Sequence, residues 1–182
     1  MVSSSLCLFK FSGTIFFCGC FEIASKNAII WRNMAKTPKV LFTGISGLLG
    51  KYFLQIKSSD FDVFGAADKV PQKRIDNFIK MDITDKKNVD REITFLSPHF
   101  IVHAASIGSV DYCERFPKEA QRVNVLGTQN ILDSEKKVGA TMIFISSNAV
   151  YNGKEPFYDE NKQTNPIDMY GKTKEKGERL VK

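Results

Sequence analysis

The chain has 182 residues, 43% of them hydrophobic and 25% charged, with a formal net charge of +6. That length holds one domain with a sizeable core and leaves too little for two. Lys and Arg are interspersed with Asp and Glu, and no basic run is interleaved with aromatics, so the charge reads as a solvated surface and argues against a nucleic-acid-binding patch.

Four cysteines occur. Cys7, Cys18 and Cys20 lie near the N-terminus and leave Cys113 alone in the body of the chain. No disulfide framework follows from that spacing, and a reduced, cytoplasmic setting fits it. His99 and His103 lie beside or within one apolar run without cysteines at ligand spacing, so no metal site is expected.

Residues 1 to 33 are rich in Leu, Phe and Cys and lack proline and helix caps. The uncharged run from Phe11 to Phe21 is shorter than the roughly 20 residues of a membrane span. As a secretory signal it lacks positive charge at Met1 to Ser5, and Lys10 interrupts its apolar stretch; as a transit peptide it has serines but little Arg. The alternative is that Met34-Ala35-Lys36-Thr37-Pro38-Lys39 is the natural beginning. Residues 1 to 33 are then an upstream extension with little structure, outside the fold.

From Lys39 onward, β-type apolar runs alternate with helical spacing, the βαβ signature of a parallel sheet covered on both faces. Val40 to Thr43 lead into Gly44, Gly47 and Gly50, the spacing at which a strand hands over to a helix around a dinucleotide pyrophosphate. Gly44 permits the tight turn, Gly47 removes a Cβ from the path of the phosphates, and Gly50 lets the helix pack closely on the strand. Leu48, Leu49, Tyr52, Phe53 and Ile56 predict a helix from about Gly47 to Ser58 with its apolar stripe on the sheet. Strand two covers Asp62 to Asp68. Asp68 is placed to accept ribose hydroxyls or is a plain turn residue before Pro71, and Lys69, Lys73 and Arg74 offer a 2′-phosphate site instead. NAD is favoured over NADP.

Phe78 to Asp82 reads as strand three, with Asp82 and Ile83 at its ligand-binding end and Thr84 as the cap of a helix carrying Val89, Ile93 and Leu96. Phe100 to Ala105 is strand four. Pro117 opens a long helix ending near Gly139, on which Ala120, Asn124, Gly127 and Ile131 share a face. The Asn124 amide on that apolar face requires a partner, because burial unpaired costs about 1 to 3 kcal/mol. Thr141 to Ser147 is strand five, Asn148 to Pro166 a polar loop, and Pro166 opens a last helix with Tyr170 and Lys174 on one face. An ammonium beside a phenol favours the phenolate, so this pair can exchange a proton with a carbonyl or alcohol while hydride moves at the adjacent carbon. Ser147 can hydrogen-bond the same oxygen.

Taken together, Thr43-Gly44-x-x-Gly47-x-x-Gly50, Asp82-Ile83, His103-Ala104-Ala105, Asn124-Val125-x-Gly127-Thr128, Ser146-Ser147 with Val150-Tyr151, and Tyr170-x-x-x-Lys174 resemble the extended short-chain dehydrogenase/reductase family. The resemblance runs from about Lys39 to the last residue and implies an α/β, Rossmann-type doubly wound parallel sheet. It implies Ser147, Tyr170 and Lys174 as the catalytic trio, with Asn124 supporting the proton relay. It further implies a cofactor, NAD(H) or NADP(H), held by Gly44, Ser46, Gly47, Leu48, Leu49, Gly50, Asp68, Asp82, Ile83, Ala104, Ala105, Ser106, Tyr170 and Lys174.

Within the family, Gly108 to Glu114 and Pro117 to Thr128 look most like the dTDP-4-dehydrorhamnose reductases, which implies reduction of a keto group on a nucleotide-linked sugar. Those reductases usually carry Thr-Asp-Tyr where this chain has Ser147-Asn148-Ala149, and the sugar dehydratases place Asp-Glu there. A nucleotide-sugar 4-epimerase stays open, as does a non-catalytic cofactor-binding or regulatory protein, or an inactive fragment. A homodimer is left open; nucleic acid and membrane are not expected partners. The family continues past the catalytic helix into a small sugar-binding domain, so the resemblance implies a chain truncated at Lys182.

Overall fold

The computed structural model describes residues 9–11, 14–16, 37–55, 60–71, 74–159 and 161–182. Ile56, Ser58 and Lys73, the cysteines Cys7, Cys18 and Cys20, and Met34 lie outside the described residues; of the segment expected to be an extension with little structure, only 9–11 and 14–16 are described, and these pair into the sheet.

The strands are β1 (Phe9–Phe11), β2 (Thr14–Phe16), β3 (Lys39–Thr43), β4 (Asp62–Ala67), β5 (Phe78–Lys80), β6 (Phe100–His103) and β7 (Thr141–Ile145). They form one sheet in the order β2-β1-β7-β6-β3-β4-β5. The five from β3 to β7 are mutually parallel, with Thr43 beside Ala66 on one side and His103 on the other. β1 and β2 are antiparallel and lie along the β7 edge, which would otherwise present unpaired backbone groups.

The helices are α1 (Leu48–Phe53), α2 (Lys86–Leu96), α3 (Val110–Arg115), α4 (Pro117–Gln121), α5 (Gly127–Val138) and α6 (Met169–Leu180). A π turn at Arg122–Leu126 joins α4 to α5, and a single 3₁₀ turn, Asn148–Val150, follows β7. Successive side chains of a strand point to opposite faces, and both faces are apolar here. Leu41, Ala66, Ile101, Phe144 and, from the helices, Val89, Ile93 and Ile131 form one core layer. Val40, Phe42, Ile45, Val102 and Ile145, with Leu49 and Phe53, form the other. A parallel sheet buried on both faces reads as near-continuous apolar strands, as these do. The sheet with helices on its faces is the Rossmann-type architecture the sequence implied.

Several boundaries differ from the sequence reading. The first helix turns only Leu49 and Phe53 to the sheet, while Leu48 and Tyr52 are 74% and 59% exposed, since each lies about 100° around the helix from its neighbour. Asp85, not Thr84, caps α2 by accepting from the Lys87 and Asn88 N–H groups, because the Thr84 hydroxyl donates to Asp82 instead. Asp168 caps α6, so the last helix opens at Met169 rather than Pro166. β4 to β7 end one to two residues before their expected ends, and after β4, β5 and β6 the chain leaves the ladder to line a cleft. The short helix α3, capped by Ser109, was not expected. Among the described residues, no helix is long and apolar enough to cross a membrane.

Ile93 is fully buried between α2 and the sheet, whereas Phe95 on the same helix is 89% exposed. Ile93→Ala is expected to lower unfolding free energy in urea by about 2 to 5 kcal/mol, and Phe95→Ala to leave it within about 0.5 kcal/mol.

Candidate functional site

The sheet order reverses between β3 and β6: the chain proceeds outward from β3 through β4 and β5, then returns to the other side of β3. In open parallel sheets a crevice opens outside the carboxyl ends of the strands at such a point. Gly44 follows β3 there with φ 76°, the left-handed region that glycine enters without strain. Its N–H donates to Ala66 O at 2.8 Å. A Cβ at residue 44 would lie 2.8 Å from both Cα and N of Ala105, so the turn and the end of the β6 strand are in backbone contact. A Cβ at Gly50 would overlap the Ile45 backbone, which sets α1 close against the turn it follows.

The crevice above this contact has a volume of about 640 Å³. Gly44, Ser46 and Gly47 form its floor, and Ala104, Ala105 and Ser106 one wall. Asp68 and Lys69 line it at the end of β4, and Asp82, Ile83 and Thr84 beyond β5. A tied strut crosses the far end. Thr84 N–H and Oγ1 both donate to Asp82 Oδ1 at 2.8 Å, Arg122 donates to Thr84 Oγ1 at 2.7 Å, and Arg122 makes a two-pronged pair with Glu119. That hydrogen bond and charge lower the Glu119 carboxyl below its usual range.

The second half of the site is built on α6. Gly171 packs so tightly on Ala149 O that no Cβ fits, which seats the start of the helix on the turn after β7. Ser147 caps that turn: its Oγ accepts the Ala149 N–H at 3.2 Å. Tyr170 is half-buried in the first turn of α6. Lys174, one turn on and 4% exposed, donates from Nζ to Ile145 O and lies 4.3 Å above the Phe144 ring, a cation–π placement. Glu178, a turn further, accepts the Ser146 hydroxyl at 2.6 Å in a buried contact.

Asn124, in the π turn and 2% exposed, has the partner its burial requires. Its Oδ1 accepts Ile107 N–H at 2.7 Å, while its Nδ2 donates to Ile107 O and, at 2.9 Å, to Thr173 Oγ1. Thr173 in turn donates to Tyr170 O. One side chain thus ties the crevice wall to α6.

The sequence matches the family described as RmlD substrate binding domain over residues 38–182. The chain belongs to this family. It is 34% identical over 144 residues to methionine adenosyltransferase 2 subunit beta of Xenopus tropicalis, covering 79% of this chain and 42% of that protein. Among solved structures, dTDP-4-dehydrorhamnose reductase of Bacillus anthracis in complex with NADP superposes with a TM-score of 0.72 at 30% identity, over 80% of this chain and 49% of that one. UDP-glucose 4-epimerase of Brucella ovis in complex with NAD gives a TM-score of 0.72 at 25% identity, over 79% and 46%. The chain therefore spans less than half the length of these relatives.

Within this member of the RmlD family, the crevice gathers the expected Gly44, Ser46, Gly47, Asp68, Asp82, Ile83, Ala104, Ala105 and Ser106. Leu48, Leu49 and Gly50 are not among its lining residues: Leu49 packs in the core, Gly50 on Ile45, and Leu48 points outward. Ser147, Asn124, Tyr170 and Lys174 are not among the lining residues: they sit on the turn after β7, the π turn and α6. The sequence reading missed the strut residues Thr84, Glu119 and Arg122, as well as Thr173 and Glu178. Thr128 had a usable signal, being four residues after Asn124 on the same helical face; the strut had none, since Arg122 and Thr84 are 38 residues apart in the chain.

His103, at the end of β6, is fully buried between Thr43 and Thr128. Burial first, and the Lys174 charge second, push its pKa down to about 3 from 6.5. The ring is neutral in the folded protein, and the unfolded chain takes up the proton first. This group's stabilising contribution is present above pH 6.5 and is lost as pH falls toward 3. Urea unfolding is expected to show stability dropping by up to about 1.4 kcal/mol per pH unit below about pH 6.5, before most carboxylates titrate. A flat profile between about pH 6.5 and pH 5 would contradict the neutral ring.

Proposed function

We propose that the chain carries the cofactor-binding and catalytic part of an NAD(P)-dependent oxidoreductase of the dTDP-4-dehydrorhamnose reductase type, which reduces a keto group on a nucleotide-linked sugar. The observation that carries this reading is the glycine turn seated against Ala105 at the sheet's reversal point, with the α6 side chains beside it. A pyrophosphate suits this turn because Gly47 carries no side chain to occupy its path, while Gly44 lets the turn close against Ala105. Asp68, at the end of β4, suits ribose hydroxyls and favours NAD, with Lys69 the competing group for a 2′-phosphate. The relatives that support a nicotinamide cofactor include one solved with NADP and one with NAD.

A bound nicotinamide supplies or accepts the hydride. The chain's own residues handle the proton. Tyr170 Oη gives it to the carbonyl oxygen, Lys174 on the next turn favours the phenolate left behind, and Ser147 Oγ donates to the same oxygen as charge develops. Asn124 holds the wall and the helix in register, and its own carbonyl supports the relay.

A second reading is favoured by one specific observation: the similar curated protein is named as a subunit of methionine adenosyltransferase. On that reading the crevice binds a dinucleotide without turnover and the chain serves an assembly. A 4-epimerase, the activity named for the Brucella ovis neighbour, would instead invert a sugar centre without net cofactor consumption.

Fluorescence titration with NADH and NADPH is expected to show saturable binding, tighter for NADH. In a chain extended to the length of its relatives, NADH oxidation is expected to depend on a dTDP-linked 4-keto sugar. Tyr170→Phe should then lower kcat by about a hundredfold or more. Binding with no keto-sugar-dependent oxidation, together with association with a methionine adenosyltransferase, would replace the enzyme reading by the subunit reading.

A further inference from the structure

The hydrogens around His103 can be assigned by counting donors. Thr128 Oγ1 lies 2.7 Å from Asn124 O, an oxygen that only accepts, so the single hydroxyl proton of Thr128 points there. The same hydroxyl oxygen lies 3.0 Å from His103 Nε2 and must accept from it. On the other side, Thr43 Oγ1 receives the Ala105 N–H at 3.3 Å. With the ring neutral and its proton on Nε2, Nδ1 carries a lone pair, and the Thr43 hydroxyl, 2.7 Å away, donates to it. The Asn124 carbonyl fixes the polarity of this chain at the Thr128 end, and with it the proton on Nε2. A neutral ring protonated on Nδ1 would leave two lone pairs facing each other between Nε2 and Thr128 Oγ1, whose own proton is committed to Asn124 O.

The chain joins three elements. Ala105 and Thr43 belong to the crevice wall and the strand that feeds the glycine turn, and Asn124 continues through its amide to Ile107 and to Thr173 on α6. Charge points the same way: the Phe144 ring has Lys174 Nζ 4.3 Å over its centre and the His103 ring 5.9 Å away. A protonated imidazole would place a second cation beside the buried ammonium.

We propose that His103 is a positioning residue of the site, held as the neutral Nε2–H tautomer, which fastens the glycine turn and the Ala104–Ala105 wall to the Asn124 turn and through it to the helix of Tyr170 and Lys174. The positioning role rests on the oxidoreductase reading, whereas the tautomer does not.

Long-range ¹H–¹⁵N spectra of protein labelled at histidine test it. The buried ring is expected to show a protonated Nε2 and an unprotonated Nδ1, unchanged between about pH 5 and pH 9. A protonated Nδ1, or titration within that range, overturns the assignment. Thr128→Val removes the acceptor for Nε2–H and is expected to mix or invert the tautomer and weaken NADH binding about tenfold. Thr128→Ser, which keeps the hydroxyl, should restore both. A folded Thr128→Val chain with wild-type NADH affinity overturns the positioning role. A wild-type chain that binds neither NADH nor NADPH overturns that role and the proposed function together, while the spectrum still decides the tautomer.

Discussion

The contact between Gly44 and Ala105 sets the geometry on which the rest of the site depends. The backbone after β3 can turn away from the sheet only if it passes within van der Waals reach of the backbone after β6, and a single Cβ would prevent it. Since those strands are neighbours where the sheet order reverses, the contact also fixes where the crevice opens. Everything placed around that opening inherits its position from it. Asp68 and Asp82 follow the outward strands β4 and β5, and Ser147 follows β7, the strand beyond β6.

A second constraint makes α6 part of the same body. The helix carries few large apolar residues, and small side chains let it come close: Gly171 against Ala149 O and Gly177 against the Phe144 ring. Polar side chains then set its register along the sheet. Glu178 takes the Ser146 hydroxyl, Lys174 the Ile145 carbonyl, and Thr173 the Asn124 amide. A slide of the helix by one residue would break all three at once. Each would leave a buried polar group unpaired, which costs more than the bond itself contributes.

This division explains what could be read from the sequence. The parallel sheet was legible because its strands are apolar on both faces and separated by helical spacing. The glycine turn was legible because backbone geometry demands glycine there whatever surrounds it. Asn124 stood out as an amide on an apolar helical face, and its need for a partner followed from the cost of burying it. The identity of that partner did not follow, because Ile107 and Thr173 are 17 and 49 residues away and reach it only once the chain has folded. The π turn at Arg122–Leu126 was hidden as well: an inserted residue in a helix leaves the apolar spacing nearly intact on either side. Leu48 misled for the opposite reason, since an apolar residue at helical spacing says nothing of which face will be covered.

Among the described residues, every buried side-chain nitrogen or oxygen has a hydrogen-bond partner. That matters more here than in a purely apolar core. Apolar packing tolerates small shifts and exchanges of volume, whereas a hydrogen-bonded chain whose partners must all be matched in direction tolerates few rearrangements. The residues between Ala105 and Asn124 form such a chain, and Asn124 extends it to α6. In the proposed reaction, a phenol, an ammonium and a hydroxyl on three turns of backbone act on one oxygen, and such an arrangement gains from being held this way. Displacements of about an ångström at a reacting centre change rates by about a hundredfold, and the buried polar groups resist displacements of that size while the apolar layers on either face of the sheet supply the bulk of the folding energy.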